Sequence, residues 1–365
     1  MSEAQSSKVI RFGIVGCGSI AATHAGAIRQ LGHRVVAVAD PLQPRADALA
    51  KRFDVSAVHP DHASLAADPA VEVACICTPS GMHAEHAIAC LAHHKHVLVE
   101  KPMDVSLAEC DRLIAAARQS RGKLGIISQH RFDAGTQLAR RMIDAGELGR
   151  IVLATGECKW YRSQSYYDEG EWRGTARLDG GALMNQGIHT VDLLQWLAGG
   201  VAEVSAQLQT AAHERIDVED VAVLSLRFRN GAIGSMLATT AAFDGLPARI
   251  EIHGTLGSIL LEGDNIRRIA LKDGRTFESH AAAAHAVSVA RGGTASVQND
   301  AIDRLPSAPD GAKWGDAHRA QIEEFVQAIQ SQKAPAIDGL AAREPVAIVA
   351  AAYASARANG AWVRT

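Results

Sequence analysis

Short apolar runs punctuate the first part of the chain: VIRFGIVG (9–16), RVVAVAD (34–40), VEVACICTP (71–79), HVLVEK (96–101) and KLGIIS (123–128). Each is continuous rather than alternating, as in strands covered on both faces. Between them lie segments of helical period, such as SIAATHAGAIRQLG, which closes on Gly32 in the position after a helix C-terminus. Strands separated by helices predict an α/β chain with a parallel, doubly wound sheet. Beyond residue 130 the pattern changes. FDAGTQLARRMIDAGELG reads as a helix, RIVLATGECKWY as a strand, RSQSYYDEGEWRGTARLDGG as a polar loop carrying aromatics, and ALMNQGIHTVDLLQWLAG as a helix. Alternating strands follow, EDVAVLSLRF and AIGSMLATTAA, joined through Asn230-Gly231, a strong hairpin signal, and ARIEIHGTLGSILLEG gives a second hairpin. This half predicts a largely antiparallel open sheet with helices on one face. Residues 279–313 show no period and read as an irregular excursion, before helices near 317–332 and 343–358. The expected division is 1–130 for the first domain and 131–365 for the second, with no internal repeats.

Composition narrows the class. Hydrophobic residues make up 47% and charged residues 21% of 365 positions, as in a soluble globular protein. A net charge of -3 gives no electrostatic footprint for nucleic acid or an anionic membrane. No apolar stretch has the length of a membrane span, and the polar start MSEAQSSKVIRFG lacks a signal-peptide core. The six cysteines (Cys17, Cys75, Cys77, Cys90, Cys110 and Cys158) follow neither a disulfide framework nor a zinc spacing, so no metal is expected and a reducing cytoplasm is.

GIVGCGSIA places Gly16, Gly18 and Ala21 in a G-x-G-x-x-A pattern between strand and helix. The first glycine permits the tight turn and the second lets the backbone approach a pyrophosphate. The helix start, Ser19-Ile20, offers its amides to the phosphates. RVVAVAD ends in Asp40, placed to take ribose hydroxyls and to repel a 2′-phosphate, which favours NAD over NADP. Ligands of open α/β sheets bind beyond the carboxyl ends of the strands, where Thr78-Pro79 and Glu100-Lys101-Pro102 stand. A desolvated lysine there, near a cationic nicotinamide, has a depressed pKa and can accept a proton from a substrate hydroxyl. His83, in the first turn after TPSG, is a candidate for the cofactor region, whereas His24 and the HHKH cluster (93–96) read as packed and solvated. Asn185 and His189, four apart, share a helix face, and Asp192 is placed to orient the His189 ring. The alternative for His189 is a core histidine satisfied by Asp192.

GIVGCGSIAATHAGAI, ICTPSGMHAEHA, HVLVEKPM, DGGALMNQGIHTVDLLQW and HRAQIEEFVQAI together resemble the Gfo/Idh/MocA oxidoreductases over nearly the whole chain. The resemblance implies a Rossmann domain followed by an α/β domain whose open sheet serves oligomer contacts, in a homodimer or homotetramer. It makes Lys101 catalytic, with a cis bond before Pro102, and maps the family histidine onto His189. It adds Gln129 to a cofactor set of Gly16, Gly18, Ser19, Ile20, Asp40, Thr78, Pro79, His83, Glu100 and Lys101. Inositol-type members carry an aspartate where this chain has Asn185, so proton transfer shifts toward Lys101 or His189. SQHRF (128–132) and WRGTARLDGGALMNQGIH are similar to UDP-sugar and amino-sugar-uronate dehydrogenases. That likeness makes Arg131, Trp172 and Arg173, with Asn185 and His189, the substrate residues, and Arg162 and Arg177 further candidates for a carboxylate or diphosphate. The implied activity is hydride transfer between a sugar's secondary hydroxyl and NAD. An NAD-retaining glycosidase and a non-catalytic ligand sensor are the alternatives.

Overall fold

The computed structural model describes residues 8–263, 265–279 and 315–365; the irregular stretch expected over 279–313 lies, but for its first residue, outside them. Six parallel strands form the first sheet in the order β3-β2-β1-β4-β5-β6: β1 (Arg11–Val15), β2 (Arg34–Ala39), β3 (Ala57–His59), β4 (Val73–Ile76), β5 (His96–Val99) and β6 (Leu124–Ile126). Every residue of β4 is buried, as its unbroken apolar run requires under helices on both faces. The order reverses between β1 and β4, so the crevice for a ligand opens at their carboxyl ends.

The second sheet has nine strands among the described residues, ordered β14-β13-β12-β11-β7-β10-β9-β8-β15. They are β7 (Ile151–Lys159), β8 (Val201–Gln209), β9 (Val221–Phe228), β10 (Ile233–Thr239), β11 (Arg249–Gly254), β12 (Gly257–Glu262), β13 (Asn265–Leu271), β14 (Thr276–Glu278) and β15 (Val363–Arg364). Only β7 and β10 pair in parallel. In β9 the alternation is strict: Ala222, Leu224, Leu226 and Phe228 point into the core and Val223, Ser225 and Arg227 outward. Helices Ile188–Ala198 and Gly339–Arg357 cover the inner face.

The tail departs from the expected two-block division. Helix Asp316–Gln330 returns to the first domain and lies on helix Ser19–Gln30, where Ile322, Phe325 and Val326 join Phe12, Ile14 and Ile28 in one core. The last helix begins at Gly339, earlier than expected, because the Asp338 carboxylate accepts from Ala341 N at 2.9 Å and caps it. It packs on helix Leu107–Gln119 of the first domain and on helix Ile188–Ala198 and β8 of the second.

Candidate active site

The glycine turn fits a dinucleotide. Gly16 has φ +88°, and a Cβ there would meet the Cys77 carbonyl at 2.6 Å, so only glycine closes this turn. A Cβ on Gly18, by contrast, would meet nothing within 4 Å, which leaves the backbone open to a bulky ligand. Helix Ser19–Gln30 starts without a side-chain cap and without an acid in its first turn, so the amides there remain for an anion. Ser19 is exposed and Ile20 half-buried. Asp40 directly follows β2, and its two carboxylate oxygens accept from Cys17 N and Leu42 N, both at 2.8 Å; each keeps acceptor capacity for a ribose hydroxyl. Gln129, in the turn after β6, is buried with Nε2 3.3 Å from His130 Nε2, while its Oε1 has no partner. These features suit NAD, whose nicotinamide when bound supplies the hydride acceptor.

Thr78-Pro79 and Lys101-Pro102 stand at the carboxyl ends of β4 and β5, half-buried except for Pro102, and the Lys101–Pro102 bond is cis. Two residues assigned to the cofactor from the sequence face elsewhere. His83 is 1% exposed, with Nδ1 at 2.7 Å from the Pro102 carbonyl and Nε2 at 2.8 Å from the Thr78 carbonyl, so it ties two strand-end loops together instead of lining the crevice. Glu100 turns inward, because its carboxylate has better partners there. One oxygen lies 2.8 Å from His24 Nε2 and 3.5 Å from His318 Nε2, and the other accepts from Lys101 N. Burial opposes its charge, yet the two histidines hold the carboxyl well below the usual range.

The second domain brings its groups to Lys101 through an irregular turn. Ala182–Gly187 winds as a π-helix before the regular helix Ile188–Ala198 begins, a distortion frequent at functional sites. Lys101 Nζ donates to the Asn185 carbonyl at 3.1 Å. Burial pushes the Lys101 pKa down, opposed by Glu100 and Asp179 and aided by Arg162. The Asn185 side chain is held by the protein: Nδ2 donates to Asp179 and Oδ1 accepts from Gln186 at 3.2 Å. His189 is half-buried, its ring edge-on to His130 with centroids 4.8 Å apart. Burial, then the charges of Lys101 and His130, keep its pKa well below the ordinary value, so it is neutral near pH 7.

The partner foreseen for that ring is engaged elsewhere. Asp192 accepts both Nε, at 2.8 Å, and Nη2 of Arg131, and the guanidinium lies 5.1 Å over the Trp196 ring. Arg131, expected at the substrate, is therefore an interior ion pair, and Asp192 orients it rather than His189. Arg162 is likewise enclosed at 4% exposure, donating to the Tyr161 carbonyl and, at 2.9 Å, to Gln186 Oε1. Arg173, expected at the substrate, is half-buried in the polar loop. It stacks 4.0 Å over Tyr166 and 4.9 Å over Trp172, with no ion pair among the described residues. Arg177 is exposed, and its carbonyl packs where a Cβ on Gly81 would come within 1.9 Å, which seats the loop against the first domain. Sequence reading missed Asp179, Gln186 and Tyr166; the acid and the aromatic sat in plain view in the polar loop, but nothing in their spacing marked them.

A dinucleotide-binding turn, a lysine at the adjoining strand end and a neutral histidine facing it define an NAD-dependent oxidoreductase. Residues 10–127 match the oxidoreductase family with an NAD-binding Rossmann fold, and residues 136–260 match the GFO/IDH/MocA C-terminal domain. The chain belongs to the Gfo/Idh/MocA family. It is similar to the WlbA dehydrogenase from Bordetella pertussis, solved with NADH and UDP-GlcNAcA: 31% identity, 98% of this chain and 99% of that one, TM-score 0.82. It is also similar to a myo-inositol 2-dehydrogenase of Thermotoga maritima, 29% identical over 71% of this chain and 76% of the relative. A trans-1,2-dihydrobenzene-1,2-diol dehydrogenase of Mus musculus is 31% identical over 68% of this chain and 73% of its own length.

Proposed function

We propose that this protein oxidises a secondary hydroxyl of a nucleotide-linked sugar acid with NAD, and that Lys101 is the base. The observation that carries the reading is that Lys101 Nζ reaches the Asn185 turn and lines one cavity with His189 at the strand ends, while the loop leading into that turn carries the Arg173–Tyr166–Trp172 cluster. In the oxidative direction the neutral Lys101 amine takes the hydroxyl proton while hydride leaves the same carbon. Burial lowers the pKa of the amine and so favours that neutral form. Neutral His189 donates an N–H to the reacting oxygen or its neighbour. Arg173 offers a planar guanidinium to a sugar carboxylate, and the whole-length likeness to the UDP-GlcNAcA-bound WlbA dehydrogenase supports that substrate class. The protein works in the cytoplasm, consistent with six buried free thiols. It assembles as a homodimer or homotetramer through the outer sheet face, where Leu153, Val223 and Ile233 are exposed.

The test is NADH formation with NAD and UDP-GlcNAcA, run beside the same nucleotide sugar without its carboxylate and beside myo-inositol. Turnover should be highest on the uronate, with net NADH released over many cycles. Brisk oxidation of inositol with none of the nucleotide sugars would overturn the substrate class.

A further inference from the structure

Asp179 precedes the π-turn and is 1% exposed, so no ligand reaches it. Its Oδ2 accepts from Gly174 N at 2.7 Å, and its Oδ1 accepts from Asn185 Nδ2. The main-chain carbonyl of Asn185, not its side chain, in turn accepts from Lys101 Nζ at 3.1 Å. The Asp179 carboxylate and the Lys101 amine are thus joined through one residue across the boundary between the two domains, the first on the Asn185 side chain and the second on its main chain.

Other charged and titratable groups surround this link. Lys101 is faced by Glu100 from its own loop, by Cys158 and Arg162 from β7 and its continuation, and by His189 from the following helix. Asp179 is faced by Arg173, by Tyr166 and Tyr167 of the short helix Gln164–Asp168, and by Tyr353 of the last helix. Glu100 has its two histidines to balance it. Asp179 has no ion-pair partner within salt-bridge distance among the described residues, and Lys101 has none either, so the closest structural link between the two charges is the Asn185 residue.

We infer that Asp179 is a positioning residue for the proton step: it fixes the Asn185 amide and supplies the second domain's counter-charge to Lys101. This rests on the reading of Lys101 as the base. As the substrate O–H gives its proton to the amine, the C–H bond releases hydride to NAD, a carbonyl forms and an ammonium appears. Asp179 exchanges no proton in this step; its negative charge favours the ammonium. Burial raises its own pKa to about 6, so the carboxylate is largely ionised at neutral pH.

The pKa of Lys101 can be read without cofactor or sugar, from the pH dependence of acetylation at Lys101 measured by mass spectrometry of its peptide. Asp179→Asn should lower the midpoint by about one pH unit, and an unchanged midpoint in the folded variant overturns the inference. If Asp179→Asn does not fold, the exchange variant Asp179→Asn with Asn185→Asp carries the test. It returns the carboxylate to this link and should bring the midpoint to the wild-type value or above it, and a lower midpoint refutes the idea. The kinetic arm separates the two proposals. In Asp179→Asn the acid limb of kcat/KM for oxidation should move to lower pH by the same amount. A labelling shift without a limb shift removes Lys101 as the base and Asp179 from the proton step together; a missing labelling shift removes Asp179 alone.

Discussion

Arg131→Ala asks whether this arginine serves a ligand or the fold. Its guanidinium and the Asp192 carboxylate are 7% and 5% exposed, joined by two hydrogen bonds, with the Trp196 ring below. Alanine strands the Asp192 carboxylate in the interior without either donor. Breaking a buried pair from one side costs about 3–5 kcal/mol, and the lost stacking adds roughly 1 kcal/mol. Urea unfolding of the apoprotein should therefore show a stability loss of about 5 kcal/mol. The double variant Arg131→Met with Asp192→Leu removes both charges together and should recover most of it, because the desolvation of the pair vanishes with the pair. The reasoning is refuted if Arg131→Ala leaves stability within about 1 kcal/mol of wild type and instead raises KM for the sugar.

Lys101→Ala should lower kcat by roughly 10²–10⁴-fold, the range for a lost general base, while fluorescence titration shows NAD affinity retained. Glu219, buried beneath the π-turn, accepts from Leu183 N at 2.9 Å, and burial pushes its pKa from 4.5 up to about 7. A carboxyl raised on folding contributes stability that is present below pH 4.5 and lost as pH rises through 7. Glu219→Gln should flatten that window, and a slope left intact in thermal melts between pH 4.5 and 7 would assign the titration elsewhere. Gly81→Ala forces the Arg177 carbonyl back from 1.9 Å; limited proteolysis of the loop should accelerate, and an unchanged cleavage rate would show that the seat tolerates a methyl. Asp40→Ala should narrow the preference for NAD over NADP in titrations at fixed salt, and an unaltered ratio would move the discrimination to another residue.

The parallel sheet was legible because β1, β2, β4 and β5 are apolar without interruption, and that pattern has one cause: cover on both faces. β3 was not, since Ala-Val-His is too short to carry a period. β8 was not either, because it follows Gly199-Gly200 directly and its alternation slips between Val201 and Glu203. The strand-end placement of Thr78 and Lys101 could be read from local order alone. The roles of Arg131, Asp192 and Glu100 could not. Arg131 lies 61 residues from the acid it pairs with, and the His318 that faces Glu100 comes from the far end of the chain. A charged residue beside a catalytic motif looks the same in sequence whether it turns toward the crevice or away from it; only the packed partners decide.

The last helix, Gly339–Arg357, bears on how a substrate gets in. It is packed at once on helix Leu107–Gln119 of the first domain and on helix Ile188–Ala198 and β8 of the second. Swinging the domains apart would strip a long, mostly buried helix from one side or the other, including Val346, Val349 and Ala352, each fully buried. The shared helix therefore opposes a hinge between the domain that carries Lys101 and the one that carries His189.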